Sequence, residues 1–324
     1  METTKNQTID TLLDAIRYFA DEYEAIQYVA NLRWPSGEQA CPKCGVISEH
    51  YWLAPRKSWK CRDCRKVFSI KVGTIFEGSP IQLSKWLPAM WMLANCKNGI
   101  SSYELGRALG VTQKTAWFML HRIREAMNDD DGFFNKMDGE VEVDGTYIGG
   151  KAKNMHKARR QRVIRGTGGM NKTAVMGLLE RPRGAGHSLV RTHVLHEDDG
   201  KRLQAAIRSN VEPGSSLYTD GHVSYIGLAR DYGHEVVNHA VEYVRGRVHT
   251  NGLENFWSLV KRAIHGTYVS IEPFHVTRYI DEQAFRFNTR KANDGQRFRW
   301  LLNEIVGKRL TYSKLTGADR WQAA

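Results

Sequence analysis

From Thr8 to Trp34 apolar residues return every three or four positions: Ile9, Leu12, Leu13, Ile16 and Phe19, then Ala25, Tyr28, Val29 and Leu32. That spacing predicts one or two amphipathic helices, ended by Pro35-Ser36-Gly37, whose apolar face serves packing or subunit association. Apolar helical patterns resume after Phe68 and run through Met127. From Glu140 the period shortens to two, and GEVEVDGTYIGG, KTAVMGLLER, HSLVRTHVL and SSLYTD read as strands separated by turn residues. Helical patterns follow Asp199 (KRLQAAIRSNV) and occupy Leu253 to Ile264, Pro273 to Lys291 and Arg297 to Leu310. Strands first, then alternating helix and strand, predict a mixed α/β core. Asp129-Asp130-Asp131-Gly132 reads as an acidic linker in front of it.

Composition narrows the class. Among 324 residues, 41% are hydrophobic and 25% charged, which argues against a disordered or fibrous chain. No apolar run reaches membrane-spanning length and the start, METTKNQTID, is polar. A cytoplasmic protein, with no membrane partner, is expected. The net charge of +12 suggests a polyanionic partner, because neutralising phosphates releases condensed counterions.

Four of the five cysteines form two CxxC pairs, Cys41-Pro-Lys-Cys44 and Cys61-Arg-Asp-Cys64, with 16 residues between them. Two thiolate knuckles make a closed tetrahedral Zn2+ site with no open position, which is a structural site. The fifth, Cys96, lies in an apolar stretch and reads as a buried small residue. Trp59, Lys60, Arg62, Arg65 and Lys66 surround the second knuckle, as a phosphate-tracking surface or as a solvated rim.

Ser101 to Met127 divides at Gly110-Val111-Thr112 into two helical patterns. Ser101 or Ser102 can cap the first and Thr112 the second. Gln113, Lys114 and Thr115 then stand at the start of the second helix, as in a recognition helix, with Trp117, Leu120, Ile123 and Met127 facing inward. An ordinary helical hairpin is the alternative.

In Glu140-Val141-Glu142-Val143-Asp144, alternation puts three acids on one strand face and two valines on the other. Like charges so close repel, and a divalent cation is the usual remedy. Asp220 ends the strand SSLYTD, and Glu254 is the sole acid of the helix in HTNGLENFWSLVKRAIHG. Lys261 falls seven residues after Glu254, two turns on and on the same side. Two aspartates from strands and a glutamate from a helix can hold two Mg2+ ions about 3.5–4 Å apart, with Asp144 bridging both. Each acid alone could equally be a surface carboxylate.

VEVDGTYIGGK, YTDGHVSY and HTNGLENFWSLVKR, preceded by CPKCG, resemble the insertion-sequence DDE transposases with an N-terminal zinc ribbon. The resemblance runs from about Phe19 to Lys291. It implies an RNase H-like catalytic core and a catalytic triad of Asp144, Asp220 and Glu254, the last two 34 residues apart. The family's His-x-Asn falls on His249 and Asn251, and its downstream basic residue on Lys261. Some relatives carry asparagine as the third ligand, so Asn251 stays a rival to Glu254. Pairing two element ends implies a homodimer or a higher oligomer.

Between the first two core strands, Lys151 to Lys172 holds Lys151, Lys153, Lys157, Arg159, Arg160, Arg162 and Arg165 and no acid. Beside Asp144 it is expected to clamp DNA; a solvated like-charge run is the alternative.

The expected organisation is an N-terminal helical segment (1–40), a zinc ribbon (41–70), a helix-turn-helix-like DNA-binding region (71–132), an RNase H-like catalytic domain (138–292) and a C-terminal helical tail (293–324). The expected function is a DNA transposase, nucleoid-associated when bound to DNA. It would cleave at mobile-element ends and join them to target DNA with catalytic Mg2+. Two alternatives stay open: a zinc-ribbon DNA-binding regulator without catalysis, and an RNase H-like nuclease without strand transfer.

Overall fold

The computed structural model describes residues 9–128, 135–150, 157, 161, 172–195, 200–237 and 246–318. The chain forms two compact units, Met1–Met127 with Ala292–Ala324, and Asn128–Lys291. The acidic linker at 129–132 lies outside the described residues.

In the first unit the N-terminal pattern resolves into α1 (Leu12–Phe19) and α2 (Glu22–Arg33). Asp21 separates them and caps α2 by accepting the Tyr23 N–H. α1 turns Ala15 and Phe19 inward, the Phe19 ring meeting Tyr28 and Phe298. Leu12, Leu13 and Ile16 are 37%, 53% and 48% exposed. Positions 12 and 16 lie about 60° round the helix from 15 and 19, so docking the second pair leaves the first outside.

The ribbon follows. β1 (Gln39–Ala40) and β2 (Ile47–Ser48) form an antiparallel hairpin around the first CxxC. β3 (Tyr51–Leu53), β4 (Ser58–Lys60) and β5 (Val67–Phe68) make an antiparallel sheet with the second CxxC between β4 and β5. Trp52, Trp59 and Phe68 share one face of that sheet, and Trp59 meets Trp34 edge to face at 5.4 Å. Trp59 is therefore buried core rather than part of a phosphate-tracking rim.

α3 (Leu83–Asn95) is apolar nearly all round, as a central helix must be. The Glu22 carboxylate caps it, accepting the Leu83 and Ser84 amides at 2.9 and 2.8 Å. α4 (Ser102–Leu109) begins in a capping box between Ser101 and Glu104 and ends at Gly110 in the left-handed conformation. α5 (Gln113–Met127) starts where Thr112 Oγ1 accepts the Thr115 N–H. Beyond its first turn α5 is buried almost all round, with Trp117 half-buried and Leu120, Ile123 and Met127 inside. The segment set apart by sequence as a C-terminal tail packs into this same unit. Its helix Asp294–Asn303 sets Phe298 against Trp91 at 5.1 Å, and Leu310 accepts through its carbonyl from Arg122.

The second unit is a five-stranded mixed sheet with helices on both faces. β6 (Glu140–Ile148), β7 (Thr173–Glu180) and β8 (Leu189–Leu195) run antiparallel in sequence order. α6 (Gly200–Asn210) intervenes, then β9 (Ser216–Asp220) pairs parallel to β6 and β10 (Gly233–Val237) parallel to β9. The order is β10-β9-β6-β7-β8. Val141, Val143, Met176, Leu178 and Leu217 point to the α6 face and meet Leu203 and Ile207. The opposite face is covered by α7 (Asn251–Ala263) and α8 (Val276–Asn288), through Leu253, Phe256, Trp257, Val260 and Ile280. β7 is buried on both sides, which is why TAVMGLLE reads as a nearly continuous apolar run. β10, an edge strand with His234 and Glu235, had no legible alternation and was not expected from sequence.

Candidate active site

Alternation along β6 puts Glu140, Glu142 and Asp144 on the face that α7 covers, as the sequence spacing requires. The parallel pairing Val143↔Thr219 carries the next residues, Asp144 and Asp220, to the same level of neighbouring strands. Asp220 ends β9, its Oδ1 accepting the His222 N–H at 3.2 Å. On the other side of β6, Gly177 of β7 is the register partner of Asp144.

Gly177 explains how α7 comes so close. A Cβ there would stand 2.6 Å from the Trp257 ring and 2.8 Å from Leu253 Cδ2. Without it, the indole lies against the sheet and Trp257 Nε1–H donates to Asp144 Oδ2 at 3.1 Å. Asp144 Oδ1 accepts its neighbour's amide, Gly145 N–H, at 2.8 Å. The start of α7 is held in the same way: Glu142 Oε2 accepts the Leu253 N–H at 3.0 Å, a carboxylate on a helix N-terminus. Gly252 leaves room for that carboxylate, since a Cβ would lie 2.8 Å from Glu142 Oε2.

Glu254 stands exposed in the first turn of α7, and Lys261 is exposed in the last. The Asp144 carboxyl is pushed up to about 6, by burial first and then by the Asp220 and Glu254 carboxylates. The Gly145 and Trp257 donors pull it down without cancelling the rise. Asp144 is thus within electrostatic reach of both Asp220 and Glu254, though they are far apart in sequence.

A stability prediction follows from that raised value. An acid whose folded pKa lies above its ordinary 3.8 adds nothing below pH 3.8 and costs stability progressively as pH rises to about 6. Above that, the cost is at most about 3 kcal/mol. Asp144→Asn is therefore expected to raise the melting temperature of the magnesium-free protein at pH 7.5, with the difference vanishing near pH 4. Equal melting at pH 7.5 would show that Asp144 ionises without penalty.

Glu140 and Glu142 do not share the unrelieved state of Asp144. Arg181, one residue past β7, pairs with Glu142 at 2.8 Å and Glu140 at 3.2 Å, and Arg247 pairs with Glu140 at 2.6 Å. Side-chain cations thus relieve two of the three acids for which a metal ion was the expected remedy. His249 joins this group: its Nδ1 lies 2.8 Å from Arg181 and 3.5 Å from Glu142. Asn251 is the first residue of α7. Sequence reading missed Arg181, Gly177 and the Trp257 hydrogen bond. Strand parity puts Arg181 on the face of Gly177 and Leu179, the one available signal.

Of the other expected DNA contacts, Lys157 is exposed, while Lys151, Lys153, Arg159, Arg160, Arg162 and Arg165 lie outside the described residues. Gln113 and Lys114 are exposed on the first unit; Gln113 donates to Ser102 Oγ and Lys114 lies 5.0 Å from the Tyr312 ring centroid. Cys96 is part-exposed at the end of α3.

In the first unit one ligand atom each from Cys41, Cys44, Cys61 and Cys64 falls within 4.8 Å of the others. The Cys41–Cys64 and Cys44–Cys61 sulfurs approach to 3.7 and 3.6 Å. Burial raises the Cys41 thiol, but amides of Cys44 and Lys43 and the neighbouring sulfurs bring it down to about 7. For Cys44 the Val46 amide pulls down, yet desolvation and the three other sulfurs push it up to about 12. Four thiolates need a dication between them, and this set fits structural Zn2+.

One unit carries a four-thiolate metal module and the other a mixed sheet lined with carboxylates, and each matches a transposase family model. The ISXO2-like transposase domain matches residues 136–288, and the transposase zinc-ribbon domain matches residues 20–67. The chain is thus similar, in both its units, to the insertion-sequence DDE transposases that carry an N-terminal zinc ribbon. It is 29% identical over 258 residues, 76% of this chain and 84% of the relative, to a protein in transposable element ISH50 of Halobacterium salinarum. Among the described residues no helix is long and apolar enough to cross a membrane.

Proposed function

We propose that the chain cleaves phosphodiester bonds at the ends of a mobile element and joins the freed 3′-hydroxyls to target DNA. The observation that carries this reading is that Asp144 and Asp220 stand at one level of the neighbouring strands β6 and β9, with the charges of both Asp220 and Glu254 felt at Asp144. The strand order, with β6 central and its acids facing α7, supports an RNase H-like core.

Hard carboxylate oxygens sharing an excess of negative charge fit Mg2+. A pair of such ions held by Asp144, Asp220 and Glu254 would activate the attacking oxygen and stabilise the leaving one. The chain's own residues prepare that chemistry. Trp257 and the Gly145 amide orient the Asp144 carboxylate, while Glu142 fixes the N-terminus of α7 and so the height of Glu254. Lys261, two turns beyond Glu254, serves as a cation for the phosphate of the cut strand. The segment containing Lys151, Lys153, Lys157, Arg159, Arg160, Arg162 and Arg165 neutralises backbone phosphates. Gln113 and Lys114, at the exposed start of α5, contact the element ends. Two ends must be paired, so the working form is a homodimer or larger.

The test is a full-length protein incubated with Mg2+, a duplex carrying the inverted repeats that flank the reading frame, and a target plasmid. Nicked ends and a joined donor–target product are expected. Nicking without joined product would leave a nuclease; binding without nicking would leave a regulator.

A further inference from the structure

Arg181 sits where the acidic strand face meets the approach to α7, with its side chain 13% exposed. A guanidinium has five N–H donors in a rigid fork, and here each has an acceptor. Nε donates to Glu142 Oε1 at 2.8 Å. Nη1 donates to Glu140 Oε2 at 3.2 Å and to the Arg247 carbonyl at 2.7 Å. Nη2 donates to the His249 carbonyl and to His249 Nδ1, both at 2.8 Å. The fork also lies 4.6 Å from the Tyr218 ring centroid, on β9. One side chain thus ties β6 and β9 to residues 247–249, directly before α7.

The charge arithmetic is as specific as the geometry. The Glu142 side chain is 2% exposed, and an ionised carboxylate so buried is costly without a partner. That same carboxylate holds the α7 N-terminus through the Leu253 amide. If it lost its compensating cation the carboxylate would be driven out toward water or another cation, and the helix bearing Glu254 would move with it. Glu140 and Glu142 would also become free to compete with Asp144 for any cation on this strand face.

We propose that Arg181 is the positioning residue of the carboxylate metal site: it keeps Glu140 and Glu142 out of the ligand set and fixes α7 so that Glu254 meets Asp144 and Asp220. The inference rests on the reading of those three acids as metal ligands. Its action is through the other residues, without contact to the reacting atoms.

The test is a Mn2+ titration, followed by electron paramagnetic resonance, of the zinc-loaded full chain without DNA. Wild type is compared with Asp144→Asn, Arg181→Lys, Arg181→Gln and the double variant Arg181→Gln/Glu142→Gln. Arg181→Gln is expected to weaken Mn2+ binding by about 10- to 100-fold, the usual range for residues that orient metal ligands. Arg181→Lys should weaken it too, because an ammonium cannot serve five separated acceptors. The double variant should recover most of the loss, since no uncompensated carboxylate remains at 142 and glutamine still accepts the Leu253 N–H. A role in packing alone would not be rescued by removing the charge partner. Unchanged Mn2+ binding in folded Arg181→Gln or Arg181→Lys overturns the proposal. So does a double variant that binds no better than the single one. Should Arg181→Gln fail to fold, a double variant that folds and binds supports the proposal, and one that does neither overturns it. A wild-type chain with no Mn2+ site that Asp144→Asn removes would instead sink the metal-site reading itself.

Discussion

Replacing Asp144, Asp220 or Glu254 by the matching amide is expected to lower Mg2+-dependent cleavage of element ends by well over about 100-fold, the upper range for residues that merely orient ligands. Binding of the same DNA should change little, because the expected phosphate contacts lie elsewhere. The amides keep the shape of the acids and remove the charge. The oxygen of Asn at 144 can still accept from Trp257 or Gly145, and that at 220 from His222, so the local structure survives. Glu254 is exposed in the first turn of α7, and Glu254→Gln should not lower the melting temperature. Asn251→Ala is the informative companion. If Glu254 is the third ligand, the alanine variant retains far more cleavage than Glu254→Gln; the reverse order would hand the role to Asn251. Single-turnover cleavage beside gel-shift binding measures both, and near-wild-type cleavage in any of the three amide variants removes that residue from the triad.

The second large effect concerns zinc. The ribbon's β-strands are two or three residues long, too short to hold themselves together without the cluster. Zinc binding contributes about 10–16 kcal/mol in small modules of this kind. Chelation, or Cys64→Ser, is expected to release one zinc per chain and to abolish hydrogen-exchange protection across residues 39–68. The five-stranded sheet, which forms its own core of Val141, Val143, Met176, Leu178 and Leu217, should keep its protection. Full protection of the ribbon in metal-free protein would show that the Trp34, Trp52, Trp59 and Phe68 packing suffices by itself.

Much of the site was readable from local spacing. Alternation along GEVEVDGTYI assigns the acids of β6 to one face, CxxC spacing brings four sulfurs together, and Ser101, Gly110 and Thr112 mark the ends of α4 and α5. Each of these depends on chain geometry within a few residues. The same logic misassigned what depends on a distant partner. Leu12, Leu13 and Ile16 share an apolar stripe, but α1 docks by Ala15 and Phe19. Trp59 adjoins the basic second knuckle in sequence, yet packs on Trp34. α5 carries polar residues such as His121, Arg122 and Arg124, and all three are buried.

By itself, then, the sequence determined the periodicities, the caps, the thiolate cluster and which acids face the same way, because backbone geometry dictates those over a handful of residues. The tertiary structure decided which acids remain unrelieved. Strand order set β9 beside β6, bringing Asp220 level with Asp144, and set β7 on the other side, delivering Gly177 for Trp257 and Arg181 for Glu140 and Glu142. Electrostatic energy depends on distance in space and on burial, and neither quantity is written in separation along the chain.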